Sequence, residues 1–305
     1  MTLPRNFICL LAAVTVLITL PASAHESPEH DIEHLTDHIK SHRTPQLLFQ
    51  RAIAYRALGQ LKNALSDLNS AVSLAPENLT YQIELSRTYL VASKFGRALN
   101  AAEKALELGK TPADRAVCHV LRAEALHGSQ QYKLSLAACQ LAFSEIPKGE
   151  IEWFLLRSEN QAKLGLHKLR ITHLKAGLVL HRSAVLKTHW IDAIIDAGEY
   201  KTALPLIEAE LADRRWKSHW QIKQARALIG LGRQLEAQKH LTAALQEING
   251  RLNPTQPDIL ILADRAHIYF LTGDMAAAKT SMMELKKHRA PAWVTSRLES
   301  YMSKK

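Results

Sequence analysis

The chain has 305 residues, of which 47% are hydrophobic, 22% are charged and 6% are aromatic, and its formal net charge is +10 at pH 7. This balance is that of a globular protein with a sizeable core, which excludes a disordered or low-complexity chain. Long stretches rich in Ala, Leu, Glu, Lys, Gln and Arg, without alternating runs of Val, Ile and Thr, exclude a β-rich fold and predict helices throughout.

The first 24 residues differ in character from the rest of the chain. Arg5 supplies a positive charge, residues 7–20 form an apolar run, Pro21 breaks it, and a small-x-small motif ends at Ala24. This order is typical of a cleaved secretory signal peptide, and the apolar run is shorter than the roughly 20 residues of a membrane-spanning helix. We therefore expect cleavage after Ala24 and an exported protein, periplasmic or secreted, without stable membrane insertion. The alternative is an uncleaved N-terminal anchor.

Basic residues also outnumber acidic ones beyond this segment. Removing residues 1–24 takes away one charged residue, Arg5, and leaves a net charge of +9. The dense basic clusters lie at 214–217 and in the tail, at 286–289 and 304–305. Such a balance is compatible with nucleic acid, a membrane surface or acidic partners, and also with a basic surface that contacts only solvent. We interpret it as a solvated basic surface.

The segment 25–44, which follows the predicted cleavage point, is rich in histidine. Four of its histidines recur at every fourth residue: His30, His34, His38 and His42. That spacing places them along one stripe of a helix, while Ile32, Leu35 and Ile39 form an apolar side. We expect this helix to cap the N-terminal end of the domain that follows.

Imidazoles four residues apart on a helix can share a metal ion, and Asp31, Glu33 and Asp37 lie nearby in the sequence. The stripe therefore predicts a zinc, copper or nickel site, with a solvent-exposed histidine face as the alternative. Residues 30–34 (HDIEH) also match the H-x-x-E-H signature of inverted zinc proteases. Because this motif precedes any domain that could supply a further ligand and a cleft, we do not predict protease activity.

Signatures of other common catalytic sites are missing from the sequence. It contains no G-x-x-x-x-G-K-[ST] phosphate loop, no G-x-G-x-x-G after a strand and no G-x-S-x-G nucleophile elbow. We therefore predict that the chain is not an enzyme and that it needs no cofactor.

Beyond the histidine-rich segment the sequence repeats itself with a period of 34 residues. In residues 45–78, small Ala52 is followed by Tyr55, a turn at Leu58-Gly59, a second series of small and apolar residues, and a closing proline. This pattern resembles the tetratricopeptide repeat, a helix–turn–helix unit in which small residues let two helices cross closely. The resemblance implies an all-α fold, a right-handed α-solenoid of about seven such units with capping helices at both ends.

The match to this repeat varies along the chain. The predicted organisation is a signal peptide at 1–24, a histidine-rich capping helix at 25–44, three well-matched units at 45–149, two degenerate units at 150–217, two further units at 218–291 and a C-terminal capping helix at 292–305. In the degenerate units, Arg170 and Ile191 replace the expected small residues. A loop insertion at 248–258, with two prolines that block helix, separates the last two units.

In tetratricopeptide arrays the first helix of each unit lines a concave face, at positions that recur with fixed offsets. Carrying these offsets unit by unit gives a candidate partner-binding set: Phe49, Arg56, Arg87, Val120, Glu124, His127, Glu152, Leu155, Glu159, Asp192, Ile195, Arg226 and His267. The resemblance thus implies a scaffold that binds an extended or helical peptide or protein segment. The alternative is a metal-binding accessory protein that uses the histidine stripe.

The middle of this set is acidic although the chain is basic. Its carboxylates meet no Lys or Arg at the carried-over positions: Glu124, Glu152, Glu159 and Asp192. Complementary charge then favours a partner segment that bears Lys or Arg. A face of this sign repels phosphates, so we predict no binding of nucleic acid there.

Overall fold

A computed structural model describes residues 27–253, 255–291, 294–295 and 298–299. Within these residues the chain is all-α, as predicted, with fifteen helices and no strand. The predicted signal peptide and most of the predicted C-terminal helix lie outside the described residues. The described residues form two compact units, one up to Leu186 and the other from Lys187 onward. None of the helices in the described part combines the length and the apolar character that a membrane span requires.

The helices follow one another with short connections. The first unit contains α1 (Pro28–Ser41), α2 (Pro45–Ala57), α3 (Leu61–Leu74), α4 (Leu79–Val91), α5 (Phe95–Leu108), α6 (Pro112–Gly128), α7 (Tyr132–Glu145), α8 (Ile151–Lys163) and α9 (His167–His181). The second unit begins within α10 (Ala184–Asp196) and continues with α11 (Tyr200–Ala212), α12 (Ser218–Gly230), α13 (Gln234–Arg251), α14 (Ile259–Thr272) and α15 (Met275–Lys287). From α2 onward, each even-numbered helix is the first helix of a predicted repeat.

Caps and tight turns set the limits of these helices. Thr111 and Asp114 form a reciprocal capping box at the start of α6, which satisfies backbone amides that have no partner within the helix. The turn after α2 places Gly59 at φ +72°, a left-handed conformation that favours glycine. Ser93 and Gln130 adopt left-handed φ angles of 55° and 61° in the turns of the next two repeats. The turns therefore recur where the repeat pattern predicts them, even without glycine.

Small residues lie where the helices of one repeat cross. Ala52 is fully buried in α2, Ser86 takes the corresponding position in α4, and Ser135 lies at the crossing on α7, the second helix of its repeat. The hydroxyl of Ser86 donates to the carbonyl of Ala98 (2.8 Å), and that of Ser135 donates to the carbonyl of Ala123 (2.7 Å). Because these bonds satisfy the buried hydroxyls, serine can replace alanine at the crossing without leaving an unpaired polar group.

The degenerate repeat accommodates a long side chain where a small one is expected. Arg170 is buried in α9, and its Nε donates to the hydroxyl of Ser158 in α8 at 3.0 Å. In the next repeat, Ile191 is fully buried in α10. The larger side chains of Arg170 and Ile191 thus fill space in the core, and the helices that carry them are preserved.

The loop insertion predicted at 248–258 begins later than expected. Helix α13 continues to Arg251, and the loop starts at Leu252. The reason is that Ile248 is fully buried in the core cluster shared by α12, α13 and α14. Its apolar contacts favour another helical turn, so the prolines of the loop stop the helix only further along the chain.

Both ends of the repeat region are covered by apolar contacts. Ile39 of α1 packs against the cluster that contains Leu48, as expected for an N-terminal cap. At the other end, Val294 and Leu298 are helical and buried against a cluster that contains Leu262. Capping of this kind shields the apolar stacking surface that a terminal repeat otherwise exposes.

Candidate binding face

A row of charged residues runs across the first helices of the repeats in the unit up to Leu186. Glu84 of α4 is buried and forms ion pairs with Arg56 of α2 (2.5 Å) and with Arg87 of its own helix (3.8 Å). Burial raises the pKa of the Glu84 carboxyl above its usual value, although both arginines oppose the shift. Sequence analysis selected the two arginines but missed Glu84, which lies three residues before Arg87 on the same helix.

Glu124 of α6 is the next charged position in this row. Burial raises the pKa of its carboxyl to about 8, an effect opposed by Arg87 and increased by Glu152 of α8. Its Oε2 atom is buried and has no hydrogen-bond partner. At neutral pH this carboxyl is mostly protonated, so the predicted acidic face has less negative charge here than the sequence implies.

His127 joins α6 to α8 through a polar network. The side-chain oxygen of Asn160 accepts a hydrogen bond from His127 Nδ1 (3.0 Å), and the Asn160 amide donates to Ser135 in α7 (2.8 Å). His127 Nε2 lies 3.5 Å from the carboxylate of Glu159, whose side chain is 45% exposed. Asn160 was not selected from the sequence, because the repeat offsets do not include its position. It is fully buried, and its side-chain oxygen reaches His127.

The apolar members of the predicted set differ in how much surface they offer. Phe49 of α2 is partly buried and its ring packs against Tyr81 of α4, with 4.9 Å between centroids. Leu155 is half-buried. Val120 and Ile195 are each only 4% exposed, so they pack inside the repeats and offer almost no surface to a partner.

In the unit from Lys187 onward, Asp192 is the centre of an ion network. It accepts from Lys223 Nζ (2.6 Å) and from Arg226 Nη1 (3.0 Å), both on α12. Arg226 also binds Asp196, one turn further along α10 (2.6 Å). The expectation that Asp192 meets no Lys or Arg is therefore wrong. Arg226 is its neighbour at the same repeat position, and Lys223 lies three residues before Arg226.

A cavity of about 170 Å³ opens beside this network, between α12, α14 and the C-terminal residues. Its apolar lining includes Ile222, Ala263 and Leu298, and its polar lining includes Arg226 and His267 from the predicted set. The structure thus brings these two predicted residues to one recess in the second unit.

Three histidines of the predicted stripe, His30, His34 and His38, lie on α1, whereas His42 follows the last residue of the helix in an extended conformation, so the prediction that it continues the helical stripe is wrong. The Nε2 atoms of His34 and His38 are 3.2 Å apart, as the four-residue spacing predicts. Among the residues that the structure describes, no three His, Cys, Asp or Glu side chains are grouped so that they could hold a metal ion. Binding of zinc, copper or nickel at His30, His34, His38 and His42 stays a prediction.

Comparisons with known proteins agree with the repeat fold. The family model described as tetratricopeptide repeat matches residues 45–78. A solved tetratricopeptide repeat protein from Parabacteroides merdae ATCC 43184 is similar over 84% of this chain and 98% of its own, with 14% identity and a TM-score of 0.65. At this identity the likeness shows the fold alone.

Two further solved structures are similar over a smaller part of the chain. MamA from Desulfovibrio magneticus RS-1 is 24% identical over 52% of this chain and 88% of its own, with a TM-score of 0.48. YrrB, described as a TPR protein with an unusual peptide-binding site, is 16% identical over 60% of this chain and 93% of its own, with a TM-score of 0.49. A search of curated protein sequences found no match.

Proposed function

We propose that the chain is an exported scaffold that binds a protein or peptide segment bearing Lys or Arg, and that this role is binding and not catalysis. One observation carries the proposal: Glu124 holds a buried carboxyl oxygen that has no hydrogen-bond donor. An ammonium or guanidinium group of a partner would supply that donor and would favour the ionised carboxylate. The row of charged residues in the first unit therefore lacks a hydrogen-bond donor at Glu124.

The surroundings of Glu124 support a cationic partner. Glu152 forms no ion pair with any Lys or Arg of the described residues, and its proximity disfavours a second negative charge at Glu124. Glu159 lies on α8, in the repeat after that of Glu124, and its partly exposed side chain adds a further carboxylate. On the other side, Arg56 and Arg87 are balanced in part by Glu84, which limits their repulsion of a positive ligand.

Removing the two more accessible carboxylates should weaken binding of a basic segment. We expect the double variant Glu152→Gln/Glu159→Gln to bind a Lys- and Arg-containing partner about three- to tenfold more weakly, because exposed charges contribute about 0–1 kcal/mol each. The loss should shrink as salt is raised. Partners captured on immobilised chain, or members of a basic peptide array, can be titrated by fluorescence anisotropy.

The matched control is Glu77→Gln/Glu107→Gln, which removes the same charge from exposed positions outside the row of charged residues. It should leave affinity unchanged. Asp192 is unsuitable for this test because its carboxylate holds the ion network of the second unit together. Binding that is equal in both double variants, or insensitive to salt, would contradict the proposed face.

Export is the second part of the proposal and rests on the pattern of residues 1–24. We expect the protein recovered from the exported fraction to begin at His25, since cleavage should follow the small-x-small motif. Mass spectrometry of the intact protein measures this directly. A chain that retains Met1 and sediments with membranes would instead indicate an N-terminal anchor.

A further inference from the structure

The loop between α11 and α12, residues 213–217, exposes a tryptophan among cations. The Trp216 side chain is 48% exposed, and the guanidinium carbons of Arg215 and Arg251 lie 4.9 Å and 4.5 Å from its ring centre. Exposed tryptophan is costly in water and often marks an interaction surface. Here the nearby guanidinium groups hold the ring in place through cation–π contacts.

The position of this loop is fixed by the helix that follows in the next repeat. The carboxylate of Glu247 on α13 accepts hydrogen bonds from the backbone amides of Lys217 (2.8 Å) and Ser218 (3.2 Å). Glu247 also pairs with Arg251 at 3.1 Å. The carboxylate of Glu247 is thus paired within the protein. It holds the loop through backbone amides, and these contacts do not involve the side chain of Lys217.

The cations of the loop differ in what they contact. Arg214 pairs with Glu210 at 2.5 Å, so its charge is partly neutralised. Arg215 and Lys217 are exposed and form no ion pair with any residue in the part of the chain that the structure describes. Two solvated cations therefore stand on either side of Trp216 in the sequence, beside a partly neutralised Arg251.

We propose that this loop, residues 213–217 together with Arg251, is a docking surface for an anionic phospholipid membrane. Tryptophan is enriched at the level of lipid headgroups because its ring is amphipathic. Lys and Arg near a membrane surface are attracted by anionic headgroups. The surface combines both features, lies in the second unit, and uses none of the residues of the proposed binding face.

A lipid surface fits this arrangement better than a nucleic acid does. Binding of single strands uses several aromatic side chains that stack successive bases along a positively charged groove. The loop offers one exposed tryptophan, and the carboxylates of Glu210 and Glu247 lie beside it. A single aromatic ring with flanking cations is sufficient for contact with a headgroup layer.

Sedimentation of the full chain with vesicles tests the proposal. We expect binding to vesicles of phosphatidylglycerol and phosphatidylcholine in equal parts to exceed binding to pure phosphatidylcholine. The Arg215→Gln/Lys217→Gln variant should lose on the order of tenfold or more of this preference, since each cation contributes roughly fivefold. Trp216→Ala should also weaken binding and should reduce the part that persists at high salt.

The matched control is Arg97→Gln/Lys104→Gln, which removes one Arg and one Lys from exposed positions of α5. It should retain the preference for phosphatidylglycerol. All the proteins compared contain residues 1–24, so a difference in vesicle binding between them reports the contribution of the loop. An equal loss in the control, or no preference for phosphatidylglycerol in the parent chain, overturns the proposal. Weakened binding of Trp216→Ala to polyuridylate, with vesicle binding unchanged, overturns it in favour of nucleic acid.

Discussion

Replacing Asp192 with alanine should lower the free energy of unfolding by about 3–5 kcal/mol, because it removes the carboxylate that pairs with the buried ammonium group of Lys223. The side chains of Asp192 and Lys223 are each only 4% exposed, and their charged atoms are 2.6 Å apart. Removal of one member of such a pair exposes the full cost of burying the other charge. Denaturant unfolding followed by far-UV circular dichroism measures the loss.

The same helix supplies a matched control in Asp196. It binds the same arginine, Arg226, at 2.6 Å, but its side chain is 32% exposed. Because water screens exposed ion pairs, Asp196→Ala should cost at most about 1 kcal/mol. Equal and small losses in the two variants would show that the Asp192 network is not buried as described.

A second comparison separates the cost of an unpaired charge from the cost of lost packing. In the double variant Asp192→Leu/Lys223→Met, both members of the buried pair become apolar groups of similar size. Such exchanges are often neutral or stabilising. We therefore expect the double variant to recover most of the stability that Asp192→Ala loses, whereas a loss as large as that of Asp192→Ala would indicate a packing role.

The fold could be predicted from the sequence because its signals are local and repeated. Ala52 and the turn at Gly59 set a pattern, and the turns at Ser93 and Gln130 continue it although neither residue is glycine. The loop after α13 was misplaced by a few residues for a tertiary reason. Ile248 is buried by helices on both sides of it in the chain, and no local signal reports that contact.

The candidate site was predicted less completely, because repeat offsets give the direction of a side chain but not its depth. Offsets selected Val120 and Asp192 for the concave face, yet both are buried. They also left out Glu84 and Lys223, each three residues before a selected arginine. Whether such a residue joins the charged residues of the first helices depends on its partners on the neighbouring helix, and these differ from repeat to repeat.

Glu124→Gln should stabilise the protein, and the gain should grow as pH rises. The pKa of Glu124 is raised from its usual 4.5 to about 8 in the folded chain. Between these values the unfolded chain has released its proton while the folded chain keeps it, so the parent protein loses stability with rising pH. Glutamine has no proton to release. We expect the gain to be small near pH 4 and on the order of 2–4 kcal/mol at pH 8.

Glu145 on α7 provides a control of opposite sign. Its carboxylate accepts two hydrogen bonds from Arg115, at 2.8 Å each, and these bonds lower its pKa. That carboxylate therefore contributes stability above its usual pKa, and the contribution is lost as pH falls. Glu145→Gln should show no gain at pH 8. If thermal or denaturant unfolding gives Glu124→Gln the same advantage at pH 4 and pH 8, then burial does not raise the pKa of Glu124 in the folded chain.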